Sequence, residues 1–260
     1  MTAIEAAVLG LVQGLTEFLP VSSSGHLVIG QTLFDLRGDH LAFDILVHGA
    51  TLLAILVHFR SRLVELLRRS EWSYIGKLGV ATVPAVIAGV TFYGTVREAF
   101  TRPSLVAGFL AITGGLLLSL YLRRRPDDEA GLLEPGWGTA LLIGLFQACA
   151  LLPGISRSGS TIVAGIWLGL APAAAAEFSF LIAIPAIAGA IVYESGALGQ
   201  LAGAGMADVF SIGVVFAFAS ALVAIRVVFR TIDRREFRWL GFYCLAIAAL
   251  FGMWLAWGAG

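Results

Sequence analysis

Four stretches, Leu41–Phe59, Leu105–Leu122, Phe210–Ile225 and Trp239–Trp257, are predominantly apolar over up to about 20 residues, and nothing else in the sequence constrains the fold as strongly. Coiled as a helix, such a stretch crosses a hydrocarbon core about 30 Å thick. A soluble chain of 260 residues has no interior large enough to hide so many of them. Charged residues make up 13% of the chain, against about 25% in soluble domains. The chain therefore reads as an integral membrane protein. The N-terminal apolar stretch has no Lys or Arg ahead of it and is interrupted by Glu5 and Glu17, so it is expected to belong to the mature fold rather than to a signal peptide. With 17 Lys+Arg balancing 17 Asp+Glu, nucleic acid is not an expected partner. Cys149 and Cys244 sit in apolar stretches and read as small buried hydrophobes without redox meaning.

The sequence repeats itself. Gly10-Leu11-Val12-Gln13 recurs as Gly144-Leu145-Phe146-Gln147, and Ser22-Ser23-Ser24-Gly25-His26 as Ser156-Arg157-Ser158-Gly159-Ser160, both at an offset of 134 (147 − 13 and 159 − 25). Apolar spans near 41–60, 73–93 and 104–123 map onto about 175–194, 207–227 and 238–257 by the same shift. Each half, approximately 1–125 and 135–260 of one membrane domain, opens with two short apolar pieces broken by Pro and a Ser/Gly cluster. These pieces, roughly 3–18 with 24–34 and 138–151 with 158–169, suit a re-entrant hairpin, whose non-helical tip is tolerated at membrane depth only where protein or water satisfies it. The alternative is a pair of surface loops between ordinary helices. The expected fold is an all-α polytopic membrane protein with ten helical segments. It would be an inverted repeat of two five-segment halves, each with one re-entrant helical hairpin and three transmembrane helices, and its site would lie where the repeats meet.

Positive charge is uneven in this arrangement. Arg60, Arg62, Arg68, Arg69, Lys77, Arg123, Arg124, Arg125, Arg226, Arg230, Arg234, Arg235 and Arg238 fall on one side, Arg37, Arg97 and Arg102 on the other, and Arg157 in the second hairpin tip. The richer side is expected to be cytoplasmic and both termini extracytoplasmic. Four full crossings in place of the hairpins give the same sides.

Ionisable groups in membrane segments are functional candidates by default. Gln13 and Glu17 share a helix face, and Glu17 is a candidate oxygen ligand, with Gln13 as a neutral helper, for Mg²⁺ or Ca²⁺. Ser22, Ser23, Ser24 and His26 form the first tip. An N-cap explains one serine, whereas Ser and His together supply a nucleophile and a proton carrier. Attack by Ser and attack by His stay open at this level. In the second tip, Pro153–Thr161, Arg157 lies among hydroxyls at a helix start, an arrangement suited to phosphate oxygens. Asp44, His48 and Glu177 are as well suited to bracing a hairpin as to chemistry. Thr51, Glu5 and Ser179 are weaker candidates.

Gln13-x-x-x-Glu17, Phe18-Leu19-Pro20-Val21-Ser22-Ser23-Ser24-Gly25-His26-Leu27 and Pro153-Gly154-Ile155-Ser156-Arg157-Ser158-Gly159-Ser160-Thr161, with Phe43-Asp44, Glu177-Phe178-Ser179-Phe180 and Ile184-Pro185, resemble the undecaprenyl-diphosphate phosphatase family, the bacitracin-resistance proteins, over essentially the whole chain. The resemblance implies hydrolysis of undecaprenyl diphosphate to undecaprenyl phosphate and inorganic phosphate with a divalent cation, in the bacterial cytoplasmic (inner) membrane. This recycles the lipid carrier for cell-wall synthesis. It carries Glu17, Ser23, His26 and Arg157 over as the functional set. Position 13 is the Gln variant of the family's Glu/Gln-x-x-x-Glu motif, which puts a metal role for Gln13 in doubt.

On this reading Glu17 holds the cation, Arg157 the phosphates, Ser23 attacks and His26 moves the proton. Ser22, Ser24, Gly25, Gly154, Ser156, Ser158, Gly159, Ser160 and Thr161 line the diphosphate. Expected partners are the polyprenyl diphosphate, membrane lipids and, as an open option, a second copy in a homodimer. The rivals are a transporter or flippase of the lipid carrier, an intramembrane serine protease using Ser23 and His26, and a purely structural membrane protein.

Overall fold

The computed structural model describes residues 1–36, 40–122, 131–196, 207–232 and 239–258. Arg37, Arg123, Arg124, Arg125, Arg234, Arg235 and Arg238 from the charge count lie outside the described residues. The described chain is helical. Two short helices, α1 (Ala3–Phe18) and α2 (Ser23–Leu33), are followed by α3 (Leu41–His58), α4 (Arg60–Arg68), α5 (Trp72–Thr91), α6 (Tyr93–Phe100) and α7 (Pro103–Leu118). Two more short helices, α8 (Trp137–Cys149) and α9 (Arg157–Trp167), precede α10 (Pro172–Glu194), α11 (Ala207–Thr231) and α12 (Trp239–Gly258). Among the described residues six helices are long and apolar enough to cross a membrane: α3, α5, α7 with its 3-10 extension to Tyr121, α10, α11 and α12. Their outward surfaces carry large apolar side chains such as Leu53, Ile87, Val192, Val215 and Leu250, each more than half exposed, as a lipid-facing surface requires. Ten helical segments are expected from the sequence. The described residues hold twelve, because the arginine-rich α4 and the short α6 are helices where only loops were expected.

The paired short helices are built by matching local rules. Ser22 caps α2 by accepting the Gly25 N–H, and Ser156 caps α9 by accepting that of Gly159. At the other end, Leu36 N–H reaches Gln31 O and Asp35 N–H reaches Thr32 O, while Leu170 N–H reaches Gly165 O and Gly169 N–H reaches Ile166 O. Both ends are Schellman motifs, with left-handed residues Asp35 (φ +49°) and Gly169 (φ +103°) at equivalent places, 134 apart (169 − 35). At about 1.5 Å per residue, α2 and α9, of 11 residues each, are too short to cross a bilayer alone.

Helices of the two halves interleave. α1 packs on α11, α5 on α8, α3 on α10 and α11, and α7 on α12. Close approach is made possible by small residues, the usual device where apolar burial gives no drive between helices in lipid. A Cβ on Gly10 would fall 2.1 Å from the Gly213 carbonyl oxygen, and one on Gly14 2.1 Å from Ser220 Oγ. A buried aromatic group, Phe18 edge-on to Phe180 at 5.3 Å with Phe59 and Phe178 beside it, lies directly behind the turn that leaves α1.

Candidate active site

The turns α1–α2 and α8–α9 meet. A Cβ on Gly25 would sit 3.0 Å from Gly154 Cα, one on Gly159 3.2 Å from Pro20 Cβ, and Ser158 Oγ–H donates to Leu19 O at 3.3 Å. Glycine at both positions lets the two turns pack this tightly without a shift. Each turn contains one left-handed residue. In the second it is Gly154 (φ +105°), for which the conformation is cheap, and in the first it is Ser22 (φ +70°). A serine held there costs on the order of 1–3 kcal/mol, and such strain clusters at functional sites. The second turn is further held by Thr113 of α7, whose hydroxyl donates to Gly154 O at 2.8 Å and accepts the Ser156 N–H at 3.0 Å.

Glu17 stands at the junction, 7% exposed. Its Oε1 accepts Arg157 Nη2–H at 2.6 Å, and its Oε2 accepts Ser23 Oγ–H at 2.6 Å and Gln13 Nε2–H at 3.0 Å. Arg157 Nη1–H donates to Ser179 O at 3.3 Å. The acid of the first turn and the base of the second are thus one buried ion pair; removing either partner leaves an uncompensated charge. His48 joins them: its Nδ1–H donates to Asp44 O at 2.7 Å, and its Nε2 lies 3.7 Å from Glu17 Oε2. Ser23, His48 and Arg157, which touch this carboxylate, are each partly exposed.

His26 makes both of its ring hydrogen bonds away from Ser23. Its Nδ1 is 2.8 Å from Ser22 O, and a carbonyl oxygen only accepts, so Nδ1 carries hydrogen. Its Nε2 is 2.9 Å from the Tyr243 hydroxyl. Both ring nitrogens are thus taken by groups other than Ser23, whose proton is directed at Glu17.

The remaining candidates separate into two groups. Ser22 and Ser24 face each other at 3.3 Å on the first turn. Ser156, Ser158, Ser160 and Thr161 are each at most 2% exposed. Ser156 Oγ accepts Gly159 N–H, Ser158 Oγ–H reaches Leu19 O, and Thr161 Oγ1 lies 2.6 Å from Ser179 Oγ, so these three hydroxyls are engaged within the protein. Asp44 accepts Gln31 Nε2–H at 2.9 Å, tying α3 to α2. Glu177 is away from the junction and accepts Arg62 Nε–H at 2.9 Å, while Arg62 also reaches Glu71. Burial opposes the charge on Arg62, but the hydrogen bonds to Glu177 and Glu71 prevail and raise its pKa above the ordinary value. Glu5 forms a capping box with Thr2, and Thr51 hydroxyl donates to His48 O.

For a divalent cation the site offers the Glu17 carboxylate and the Gln13 carbonyl, whose Oε1 is buried with no hydrogen-bond partner. No group of three or more His, Cys, Asp and Glu side chains suited to a metal occurs among the described residues. Oxygen donors of this kind suit a hard cation whose other ligands are phosphate oxygens and water. The equivalent of Gln13, Gln147, has the same unpaired oxygen, but position 151 is Leu where position 17 is Glu, so the second half lacks the acid.

Thr113 and Tyr243 were not anticipated from the sequence. Each is one polar side chain in an apolar run, and that is the only local signal they give.

A family model described as bacitracin resistance protein BacA matches residues 6–250. The chain is 38% identical over 250 residues to undecaprenyl-diphosphatase 2 of Rhodospirillum rubrum, covering 94% of this chain and 91% of that protein. It is 39% identical over 254 residues to undecaprenyl-diphosphatase of Rhodopirellula baltica (95% and 96%), and 37% identical over 277 residues to that of Salinibacter ruber (98% and 100%). A match along nearly the whole chain, including both turns of the Glu17–Arg157 junction, means that this protein belongs to the bacitracin resistance protein BacA family.

Proposed function

We propose that the protein is a membrane hydrolase that cleaves undecaprenyl diphosphate to undecaprenyl phosphate and inorganic phosphate. The observation that carries the reading is the convergence of Glu17, Ser23 and Arg157 at one crossing of two backbones. The family relationship supplies the substrate, and the relatives' names describe diphosphatases, so the flippase alternative is not taken further.

Ser23 attacks the terminal phosphorus while its proton passes to Glu17, 2.6 Å away. The bond from that phosphorus to the bridging oxygen breaks, and undecaprenyl phosphate leaves with the electron pair. Water then attacks the phosphorus carried on Ser23 and the P–Oγ bond breaks; Glu17 returns its stored proton to Ser23 Oγ as it takes one from the water, and that proton leaves with inorganic phosphate, restoring the carboxylate. Arg157 uses two N–H groups on Glu17 and Ser179, and its guanidinium has five; the others, with the N-terminus of α9, hold phosphoryl oxygens as charge builds. A cation held by Glu17 and Gln13 would neutralise diphosphate charge. Chelation should abolish phosphate release and Mg²⁺ or Ca²⁺ should restore it; full turnover in chelator would remove the cation from the account.

The turns act as tips of re-entrant hairpins in an inverted repeat. Supporting this are the short arms, the matched caps and the interleaved pairing of α1 with α11 and α8 with α5. The arginine-rich α4 lies on the cytoplasmic side and both termini outside. The direct test is phosphate release from undecaprenyl diphosphate by the purified protein in detergent with a divalent cation. Steady turnover is expected; release no faster than a protein-free blank would refute the assignment.

A further inference from the structure

His26 is held at both ring nitrogens, and the holder of Nε2 comes from α12, 217 residues away. Because Nδ1 keeps its hydrogen on Ser22 O, a neutral ring leaves the lone pair on Nε2, and Tyr243 O–H is the donor that fills it. The two rings are within 4° of parallel, with centroids 5.7 Å apart. Tyr243 is 41% exposed on the outward side of α12.

The other half shows the corresponding place without the hydroxyl. Position 109 is the counterpart of 243 (243 − 109 is 134), and it is Phe. Phe109 of α7 backs the second turn so closely that a Cβ on Gly154 would fall 2.8 Å from its own Cβ. Backing a turn thus needs no hydroxyl at this place. The hydroxyl at 243 is an addition, found where the turn carries a histidine.

We propose that Tyr243 is a positioning residue of the active site, its hydroxyl fixing His26 as the Nδ1–H tautomer with Nε2 turned to α12, so that the Ser23 proton is left to Glu17. The inference rests on the phosphatase reading, and the test separates the two. Tyr243→Phe keeps the ring found at 109 and deletes only the hydroxyl.

In detergent-solubilised protein carrying ¹⁵N-histidine, with the His26 resonances assigned from His26→Gln, wild type should show His26 protonated at Nδ1 and hydrogen-bonded at Nε2. Tyr243→Phe should move the His26 Nε2 resonance and no other histidine's. In the phosphate-release assay Tyr243→Phe should lower kcat about tenfold, the scale of one lost hydrogen bond, with KM within about twofold. In the His26→Gln background the same change should cost less than about twofold. An unmoved Nε2 resonance, or an equal loss in both backgrounds, overturns the proposal. Absence of turnover in wild type sinks the phosphatase reading and the catalytic half of this inference, while the resonances still decide whether Tyr243 holds His26.

Discussion

The two turns at the centre of this molecule share their caps but not their backbone path, Ser22 standing at φ +70° where Ser156 stands at −72°, and they are put to different uses. Both begin with a serine N-cap, both end their helix in a Schellman motif, and both contain one left-handed residue. In the second turn that residue is glycine, and three of its hydroxyls, on Ser156, Ser158 and Thr161, are consumed holding the structure together. In the first turn it is Ser22, at a cost in strain, and the side chains of Ser23, Ser24 and His26 remain partly exposed. Strain and accessible polar groups lie together in the first turn, and architecture dominates the second. Arg157 is the exception, the one group the second turn sends into the shared site.

That contrast predicts different consequences for like substitutions. The largest belongs to Ser23→Ala, which removes the nucleophile: phosphate release should fall at least about 1,000-fold with the melting temperature little changed. Residual activity of a tenth of wild type would move the attack to water or His26. Arg157→Ala should lower kcat about 100-fold, since it removes one preorganised donor to the transition state. It should also destabilise the fold, because Glu17 stays buried without its partner. Near-normal turnover would remove Arg157 from the chemistry.

Gly154→Ala should destabilise by on the order of 2 kcal/mol, because a Cβ there meets Val106 O at 2.6 Å in a left-handed conformation. A thermal melt equal to wild type would contradict the close crossing of α7 and the second turn. Smallest is Thr113→Val, which should cost about 1–2 kcal/mol of stability while kcat stays within about threefold. A large kcat loss at unchanged stability would make the second turn's hydroxyl network catalytic and erase the distinction.

Much of this was legible in the sequence because it is periodic or local. The offset of 134 shared by Gln13 and Gln147 and by the two serine clusters anticipated the paired short helices, and the six apolar runs marked the long helices to within a few residues. The tips named in advance as one site, Glu17 and Arg157, are 2.6 Å apart. Contacts set by three-dimensional approach were not legible. Residue types cannot say that Ser23 turns to Glu17 rather than to His26, because that choice depends on Tyr243, 217 residues from His26. Nor could they show that Ser156 and Ser158 face inward while Ser23 and Ser24 do not, since burial depends on which helix covers a turn. No helix was expected between residues 60 and 73, yet Arg62 is bonded to Glu71 and Glu177 in a regular helix.

The central claim is that the two turns form one chemical site through Glu17 and Arg157. A double-mutant cycle tests it most directly, with phosphate release from undecaprenyl diphosphate measured for Glu17→Gln, Arg157→Gln and the double variant. If the pair acts as a unit, the double variant should be no more than about threefold slower than the slower single variant. Losses that multiply, or near-normal turnover in either single variant, would show that the residues act separately.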